Sequence, residues 1–453
     1  MPIPGRGPWA MKCPKCEAEN PETSLLCSGC RAKLDAARER SLFQTETLQT
    51  PVKELMTGSA MTGKKISRRH FLKSSAAGIA GFTYLPYNRE KRAKDPRESK
   101  FICRTLGKTG IRIPVIGMGM LLSGNADLMR AALDAGITHF DTTAGLPQQL
   151  RNEIMIGEVL KGRSRESFIF GPKIHLPRNQ TTGLYERSAT EEEFLKKLDA
   201  SLKRLKMDYV DILYHHGVSR KESAFYEPIM KAMDKAKREG KTRFLGLTTH
   251  MNVAEAVQAA ADSNFYEVVM AAYNSRQKDQ LQIKNAIAKA ARAGLGVVAI
   301  KVIRGVEEGE KSTNPKASLK WVLQDPNVHA TIPGFSTFEE MNVDLSIMED
   351  LTLTDEEKED LKRASHEPGL YCQGCGRCLK QCPAGLPIPD LMRAYMYAYG
   401  YRQPALARSL VASLELPGRI CEDCSSCAVK CLNGWNIAGK IRELAAFQIQ
   451  ATP

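Results

Sequence analysis

The chain has 453 residues, of which 43% are hydrophobic, and its formal net charge is +14. This length allows one large domain with smaller appendages, and no apolar stretch approaches the roughly 20 residues that a membrane-spanning helix needs. Residues 1–100 hold 19 Lys and Arg against 10 Asp and Glu, which leaves only +5 for the other 353 residues. The basic charge is concentrated in this leader, so we expect no nucleic-acid partner for the main body.

Twelve of the thirteen cysteines fall into regularly spaced groups. Two Cys-x2-Cys pairs lie near the amino terminus, and two Cys-x2-Cys-x2-Cys-x3-Cys runs lie near the carboxyl terminus. Only Cys103 stands apart. These spacings are typical of metal ligands rather than of a disulfide framework.

The first segment, residues 11–34, contains the two Cys-x2-Cys pairs. Four thiolates at this spacing can surround zinc tetrahedrally and thereby fold a segment too short to build its own core. The alternative is a disordered tail with reactive thiols. We predict a zinc ribbon, followed by a linker over residues 35–60. Its zinc ligands are Cys13, Cys16, Cys27 and Cys30.

The second segment, residues 61–86, has two Lys and two Arg before a mildly apolar stretch. Its string SRRHFLK at residues 67–73 is similar to the twin-arginine export motif, whose pathway carries folded, cofactor-loaded proteins. The alternative is an ordinary basic, weakly apolar helix. If translation starts at Met61, we expect the twin-arginine machinery to export the protein to the periplasm or another extracytoplasmic compartment; otherwise we expect a cytoplasmic protein. Residues 87–100 are a polar linker.

From residue 101 onward, short apolar stretches alternate with amphipathic helical patterns. The sequence RTLGKTGIRIPVIGMG predicts a small hairpin that leads into a first strand. Eight strand candidates, each followed by a helical pattern, predict an α/β fold, a closed parallel (β/α)8 TIM barrel over residues 101–352. The candidates are IPVIGMG, ITHFD, FIFGP, YVDILY, RFLGL, EVVMA, GVVAIK and VHATI. A doubly wound open sheet is the alternative, but no Gly-x-Gly-x-x-Gly turn follows the first strand.

Polar residues stand at the carboxyl ends of three consecutive strands. Asp141 closes the second strand, Lys173 follows the third, and His216 ends the fourth. Each alone also fits a plainer role, as a helix cap, a solvated lysine or a loop residue. Because barrel enzymes carry their chemistry at these ends, we predict that the three converge as catalytic residues. We expect Lys173 to stay charged beside Asp141.

These residues carry a resemblance to the aldo/keto reductase family. The resemblance runs from about Arg104 to Asp350 and includes TLGKTGIRIPVIGMG, ITHFDTTA, GEVLKGRSRESFIFGPK, DYVDILYHHG, RFLGLTTH, AAYN and TIPGFST. It implies carbonyl reduction with NADPH, and it places Asp141, Lys173 and His216 among four catalytic residues.

The fourth catalytic residue of the family is a tyrosine, and its place is taken by Leu146. That tyrosine donates the proton to the carbonyl oxygen. In its absence, protonation would fall to His216, Lys173, water or a tyrosine such as Tyr185. Efficient reduction of ordinary ketones is therefore not expected.

The resemblance also implies a nicotinamide cofactor, either NADP or NAD. Met270 replaces a family glutamine, and Asp344 replaces an asparagine, which would repel phosphate. The backbone N–H groups at the helix start after Gly334 can receive an anion. The predicted cofactor-binding residues are Thr248, Thr249, Asn274, Lys301, Pro333, Gly334 and Ser336.

The two carboxyl-terminal cysteine runs are specific for iron–sulfur clusters. Three ligands of each run hold one [4Fe–4S] cluster, and the fourth crosses to the other. The first set is Cys372, Cys375, Cys378 and Cys431, and the second is Cys382, Cys421, Cys424 and Cys427. Two helical stretches between the runs, at 387–401 and 404–416, predict a helical two-cluster ferredoxin-like domain over residues 370–446, after a connector at 353–369. Such a fusion occurs in a bacterial and archaeal branch of the family, which this chain resembles.

The leading functional hypothesis is an iron–sulfur oxidoreductase. Its barrel would act on a small carbonyl or related substrate and exchange electrons with the clusters and with a separate redox partner. The alternative is an electron-transfer protein with a catalytically degenerate barrel, which Leu146 and Met270 favour. A regulatory or nucleic-acid-binding role through the zinc ribbon is disfavoured, because the charge is localised and recognition motifs are absent.

Overall fold

The computed structural model describes residues 10–12, 19–21, 101–121, 124–179, 182–303, 314–366, 372, 374–414, 416, 420, 421 and 427–448. The chain divides into two compact units, Met1–Asn88 and Arg89–Pro453. In the first unit, strands β1 (Ala10–Lys12) and β2 (Glu19–Pro21) pair antiparallel.

Several sequence predictions lie outside the described residues. They are the zinc ligands Cys13, Cys16, Cys27 and Cys30, the linkers at 35–60 and 87–100, the twin-arginine segment at 61–86, and the cluster ligand Cys424. They stay predictions.

A closed eight-stranded barrel makes up most of the second unit. A hairpin of β3 (Cys103–Thr105) and β4 (Arg112–Pro114) precedes it. The barrel strands are β5 (Met118–Gly119), β6 (His139–Thr143), β7 (Ile169–Ile174), β8 (Val210–His215), β9 (Thr242–Thr249), β10 (Val268–Ala272), β11 (Gly296–Ile300) and β12 (Ala330–Thr331). Neighbouring strands are parallel, and a parallel bridge between Ile116 and Thr331 closes the sheet. The predicted (β/α)8 barrel is confirmed.

A helix follows each barrel strand. These helices are α1 (Ala126–Asp134), α2 (Pro147–Leu160), α3 (Glu191–Leu205), α4 (Lys221–Ala224), α5 (Glu227–Arg238), α6 (Val253–Asp262), α7 (Gln280–Arg292), α8 (Pro315–Leu323) and α9 (Phe338–Ile347). The strand β8 is followed by two helices, α4 and α5.

Helix α3 shows why the sequence folds this way. The Thr190 side chain accepts a hydrogen bond from the Glu193 backbone N–H and so caps the first turn. Phe194, Leu198 and Leu202 recur four residues apart and are buried against the barrel. Three Glu in the first turn and two basic residues in the last oppose the ends of the helix dipole.

The barrel interior is filled by side chains. The Tyr214 ring lies there, and Met270 is fully buried in the same cluster. A Cβ atom at Gly171 or Gly246 would lie within 2.6 Å of the Tyr214 ring, so both positions require glycine. Because the interior is solid, a ligand can bind only at an end of the barrel.

The chain continues past the barrel as helices. They are α10 (Asp355–His366), α11 (Ile388–Tyr395), a π-helical turn (Met396–Gly400), α12 (Pro404–Ser413) and α13 (Ile437–Gln448). Helices α11 and α12 lie in the two stretches predicted to be helical. Buried side chains of α11, α12 and α13 form an apolar cluster that also includes Leu146 of the barrel. The cysteine-bearing segment, residues 372–448, therefore packs on the barrel beyond strand β6.

None of the described helices is long and apolar enough to cross a membrane.

Candidate active site at the barrel mouth

A cavity of about 490 Å³ lies at the carboxyl ends of the barrel strands. Asp141, Lys173 and His216 all line it, so the structure brings together the three predicted catalytic residues. The opposite wall comes from the cysteine-bearing segment, including Cys372 and Arg393. We call this space the barrel cavity. Its walls come from the barrel and from the cysteine-bearing segment.

Lys173 and Asp141 form a buried ion pair at the floor of the barrel cavity. The Lys173 ammonium also donates to the Thr142 carbonyl oxygen at 3.4 Å. Burial, with a smaller contribution from the charge of Lys301, lowers the pKa of Lys173 to about 7. The pairing with Asp141 favours the charged form. Burial and the ion pair thus act on the charge of Lys173 in opposite directions.

His216 is oriented by Thr248. The Thr248 hydroxyl accepts a hydrogen bond from the Gly217 backbone N–H at 2.8 Å and lies 3.0 Å from His216 Nδ1. Because Thr248 is fully buried, its own proton goes to His216 Nδ1. The ring proton of neutral His216 then sits on Nε2. Burial, with contributions first from His175 and His250, lowers the pKa of His216 well below its ordinary value, so the ring is neutral.

Two further histidines line the barrel cavity. The His175 ring centroid lies 4.0 Å from that of His216, and the His250 centroid lies 5.7 Å from it. His175 Nε2 is 2.7 Å from the Thr143 hydroxyl. The sequence reasoning missed both. His175 could have been found, because a period of two along β7 places it on the same face as Lys173.

The predicted cofactor-binding residues divide into two groups. Lys301, Pro333, Gly334 and Ser336 line the barrel cavity. The other three make hydrogen bonds within the protein and do not line it. Thr248 orients His216, Thr249 donates to the Met251 carbonyl at 3.0 Å, and Asn274 donates to the Lys301 carbonyl at 3.2 Å.

The start of helix α9 was expected to receive an anion. In the structure, the Glu340 carboxylate occupies that position. It accepts hydrogen bonds from the backbone N–H groups of Ser336 at 2.7 Å and Thr337 at 3.3 Å, and from the Ser336 hydroxyl at 3.1 Å. A phosphate group could reach these donors only by displacing Glu340.

Tyr185, considered as a replacement proton donor, is not among the residues that line the barrel cavity. Its hydroxyl lies 2.7 Å from His215 Nε2, and His215 Nδ1 lies 2.8 Å from the Tyr266 hydroxyl. Tyr266 in turn donates to the Ala224 carbonyl at 2.7 Å. In this buried chain the Tyr185 hydroxyl is directed to His215 and not to the barrel cavity.

Four cysteines line a second cavity of about 300 Å³, which we call the cysteine cavity. They are Cys372, Cys375, Cys378 and Cys431, the predicted first ligand set. Cys431 comes from the second run, and it lines this cavity together with three cysteines of the first run. The Cys372 sulfur accepts a backbone N–H bond from Gly374 at 3.3 Å, and the Cys431 sulfur accepts one from Asn433 at 3.4 Å.

Of the second ligand set, Cys382, Cys421 and Cys427 are described. All three are partly buried against the apolar cluster of α11, α12 and α13. Among the described residues, no group of three or more His, Cys, Asp or Glu side chains is placed to hold a metal ion.

Comparison with known proteins identifies the barrel. Residues 122–317 match the model of the aldo/keto reductase family. Over 165 residues the chain is 32% identical to L-galactose dehydrogenase of Arabidopsis thaliana, covering 33% of this chain and 49% of that protein. Over 170 residues it is 29% identical to L-glyceraldehyde 3-phosphate reductase of Escherichia coli strain K12, covering 35% of this chain and 48% of that protein. The chain thus spans about half the length of these curated relatives.

A solved aldo-keto reductase from Bacillus halodurans is 21% identical, with a TM-score of 0.47; the match covers 58% of this chain and 96% of that one. Residues 122–317 are therefore similar to the aldo/keto reductase family, a family of oxidoreductases.

Proposed function

We propose that this chain is an iron–sulfur oxidoreductase. Its barrel cavity would act on a carbonyl compound or the corresponding alcohol, and two [4Fe–4S] clusters would exchange electrons with that site. One observation carries the proposal: Cys372 lines both the barrel cavity and the cysteine cavity. A ligand of the first cluster would therefore form part of the substrate site.

The four cysteines of the first set would hold the first cluster, although in the described part of the chain their side chains are not arranged as a metal site. Four cysteines from two separate runs line one cavity, and backbone N–H groups point at two of the sulfurs. When bound, the clusters would supply one-electron transfer, two electrons per cycle for the pair.

The barrel residues would handle the protons. Reduction of a carbonyl to an alcohol takes up two electrons and two protons. The Nε2–H of His216 would donate a hydrogen bond to the carbonyl oxygen, where negative charge develops. Protonated Lys173 would deliver the proton that ends on the oxygen, and Asp141 would hold its ammonium in place. Water would supply the second proton, which ends on carbon, and the two clusters would supply the two electrons.

A nicotinamide cofactor, NADP or NAD, stays a prediction. Lys301 and Ser336 line the barrel cavity. Glu340 occupies the start of α9, so the position expected to bind the cofactor phosphate does not accept a dinucleotide in this conformation. Titration of NADPH and NADH onto the anaerobic protein, followed by nicotinamide fluorescence, tests it.

A second candidate function is electron transfer with a catalytically degenerate barrel. Leu146, at the position of the family tyrosine, packs with the helices of the cysteine-bearing segment. Met270, at the position of a family glutamine, is fully buried in the barrel interior. At both positions the family residue is replaced by an apolar side chain that packs in the protein interior, which supports a barrel without catalytic activity.

Two further proposals follow from the sequence. The clusters would need a separate redox partner, since the substrate alone cannot return them to their starting state. If translation starts at Met61, the twin-arginine machinery would export the loaded protein; the zinc ribbon would then be absent from it.

Anaerobic reduction tests the main proposal. The purified protein should contain about eight irons and eight acid-labile sulfides per chain. Clusters reduced with dithionite should be reoxidised by a carbonyl substrate in the wild type, and much more slowly in His216→Ala. Four or fewer irons in well-loaded protein would overturn the two-cluster assignment. Cluster reoxidation that is equally fast in His216→Ala would favour the second candidate function.

A further inference from the structure

Positive side chains surround the histidines of the barrel cavity. Lys173, Arg178, Lys301 and Arg393 all line it. Burial lowers the pKa of His175 to about 3, and Arg178, Arg393 and Lys173 add to that shift in that order. Burial and then Lys301, Arg393, Lys173 and Arg178 lower the pKa of His250. Arg178, Arg393 and Lys173 thus act on both rings, and Lys301 acts on the ring of His250.

Among the described residues, three carboxylates line the same cavity, and each has partners. Asp141 pairs with Lys173, and Asp390 pairs with Arg393. Glu340 is held by hydrogen bonds at the start of α9. These carboxylates therefore leave positive charge in the cavity that a ligand could neutralise.

Arg178 is the clearest source of that charge. Its guanidinium donates to the Gly217 carbonyl, directly after His216, and a Cβ atom at Gly217 would lie 2.7 Å from Arg178 Nη1. Within the described part of the chain, Arg178 forms no ion pair with a carboxylate. Burial lowers the pKa of Arg178, which reflects the cost of holding its charge there.

We propose that the barrel cavity selects an anionic substrate, a small carbonyl compound with a carboxylate or phosphate group. Arg178, from the barrel, and Arg393, from the cysteine-bearing segment, would bind the anionic group, because the planar guanidinium pairs with both kinds of oxyanion through two parallel hydrogen bonds. The reacting carbonyl would then face His216 and Lys173. This inference rests on the proposed function and names its substrate class. It also assigns a specificity role to Arg393, outside the barrel.

Calorimetric binding to the anaerobic holoprotein tests the inference without turnover. The probes are oxalate, inorganic phosphate and the neutral compound glycolaldehyde. We expect at least one of the two anions to bind, and to bind at least tenfold more tightly than glycolaldehyde. Tighter binding of oxalate indicates a carboxylate substrate, and tighter binding of phosphate indicates a phosphorylated one. Anion binding no tighter than that of glycolaldehyde would overturn the inference.

Arg178→Gln and Arg393→Gln should each weaken anion binding at least tenfold. Lys380→Gln is the matched control, since Lys380 is an exposed cation of the cysteine-bearing segment that lies in neither cavity lining. Iron content and circular dichroism check folding, and Arg178→Lys, which keeps the charge, should retain part of the affinity. Unchanged affinity in a folded Arg178→Gln protein would also overturn the inference. If anions bind but carbonyl compounds never reoxidise the clusters, only the proposed function fails.

Discussion

Gly374 lies directly against the backbone carbonyl of His250. A Cβ atom at residue 374 would clash with that oxygen and would lie 2.8 Å from Met251 Cγ. Gly374 also has a φ of 67°, a left-handed conformation that favours glycine. This contact brings the loop that carries Cys372 and Cys375 onto the end of strand β9, at the edge of the barrel cavity.

The replacement Gly374→Ala should therefore separate the cysteine loop from the barrel. Gly385→Ala is the control: Gly385 has a similar φ of 62°, but no atom lies within 4 Å of its added Cβ. Both variants should lose about 1 kcal/mol through backbone strain. Only Gly374→Ala should also slow cluster reoxidation by substrate, measured by stopped-flow absorbance. Equal rates in the two variants would show that this contact plays no part in electron exchange.

Exchange of single cluster ligands should reveal the crossing of the two cysteine runs. Because Cys378 and Cys431 line the same cavity, Cys378→Ser and Cys431→Ser should alter the same cluster. Cys382→Ser should alter the other. Electron paramagnetic resonance spectra of the reduced proteins compare the three variants. A Cys431→Ser spectrum that matches Cys382→Ser rather than Cys378→Ser would contradict the assignment.

Asp344 makes stability depend on pH. Burial, with a contribution from Glu340, raises the pKa of its carboxyl group from 3.8 to about 8. The folded protein therefore keeps a proton that the unfolded chain releases above about pH 4, so stability should fall as the pH rises from about 4 to 8. Asp344→Asn, which keeps the shape without the charge, should raise the melting temperature at pH 8 by several degrees and at pH 5 by much less. An equal shift at both pH values would rule out this titration.

The sequence predicted much of the barrel and part of its site, for physical reasons. Strand alternation and the polar ends of consecutive strands placed Asp141, Lys173 and His216 together, since all such ends meet at one mouth. The sequence could not predict that Arg393 lines the barrel cavity, because the spacing of the cysteines does not show against which surface the neighbouring helices pack. The occupation of the α9 start by Glu340 depends on a side-chain rotamer, which a spacing pattern does not encode.

Leu146 connects the barrel to the cysteine-bearing segment. It immediately precedes helix α2, after strand β6, and its backbone N–H donates to the Gln149 side chain at 2.9 Å. Its side chain is buried with Leu391 and Leu410, yet it also lines the barrel cavity. A larger side chain at position 146 would therefore extend into the cavity from among apolar side chains.

A tyrosine at this position should restore a proton donor. General-acid catalysis is worth about 10²–10⁴-fold, so Leu146→Tyr should raise carbonyl reduction toward that factor, measured as cluster reoxidation by the substrate. Leu146→Phe supplies the same ring without the hydroxyl and should give no gain. The thermal stability of both variants reports whether the apolar cluster tolerates the ring. If Leu146→Tyr and Leu146→Phe fold equally well and react at the same rate, the residue at position 146 does not limit the proposed carbonyl reduction, and proton delivery by Lys173 is sufficient.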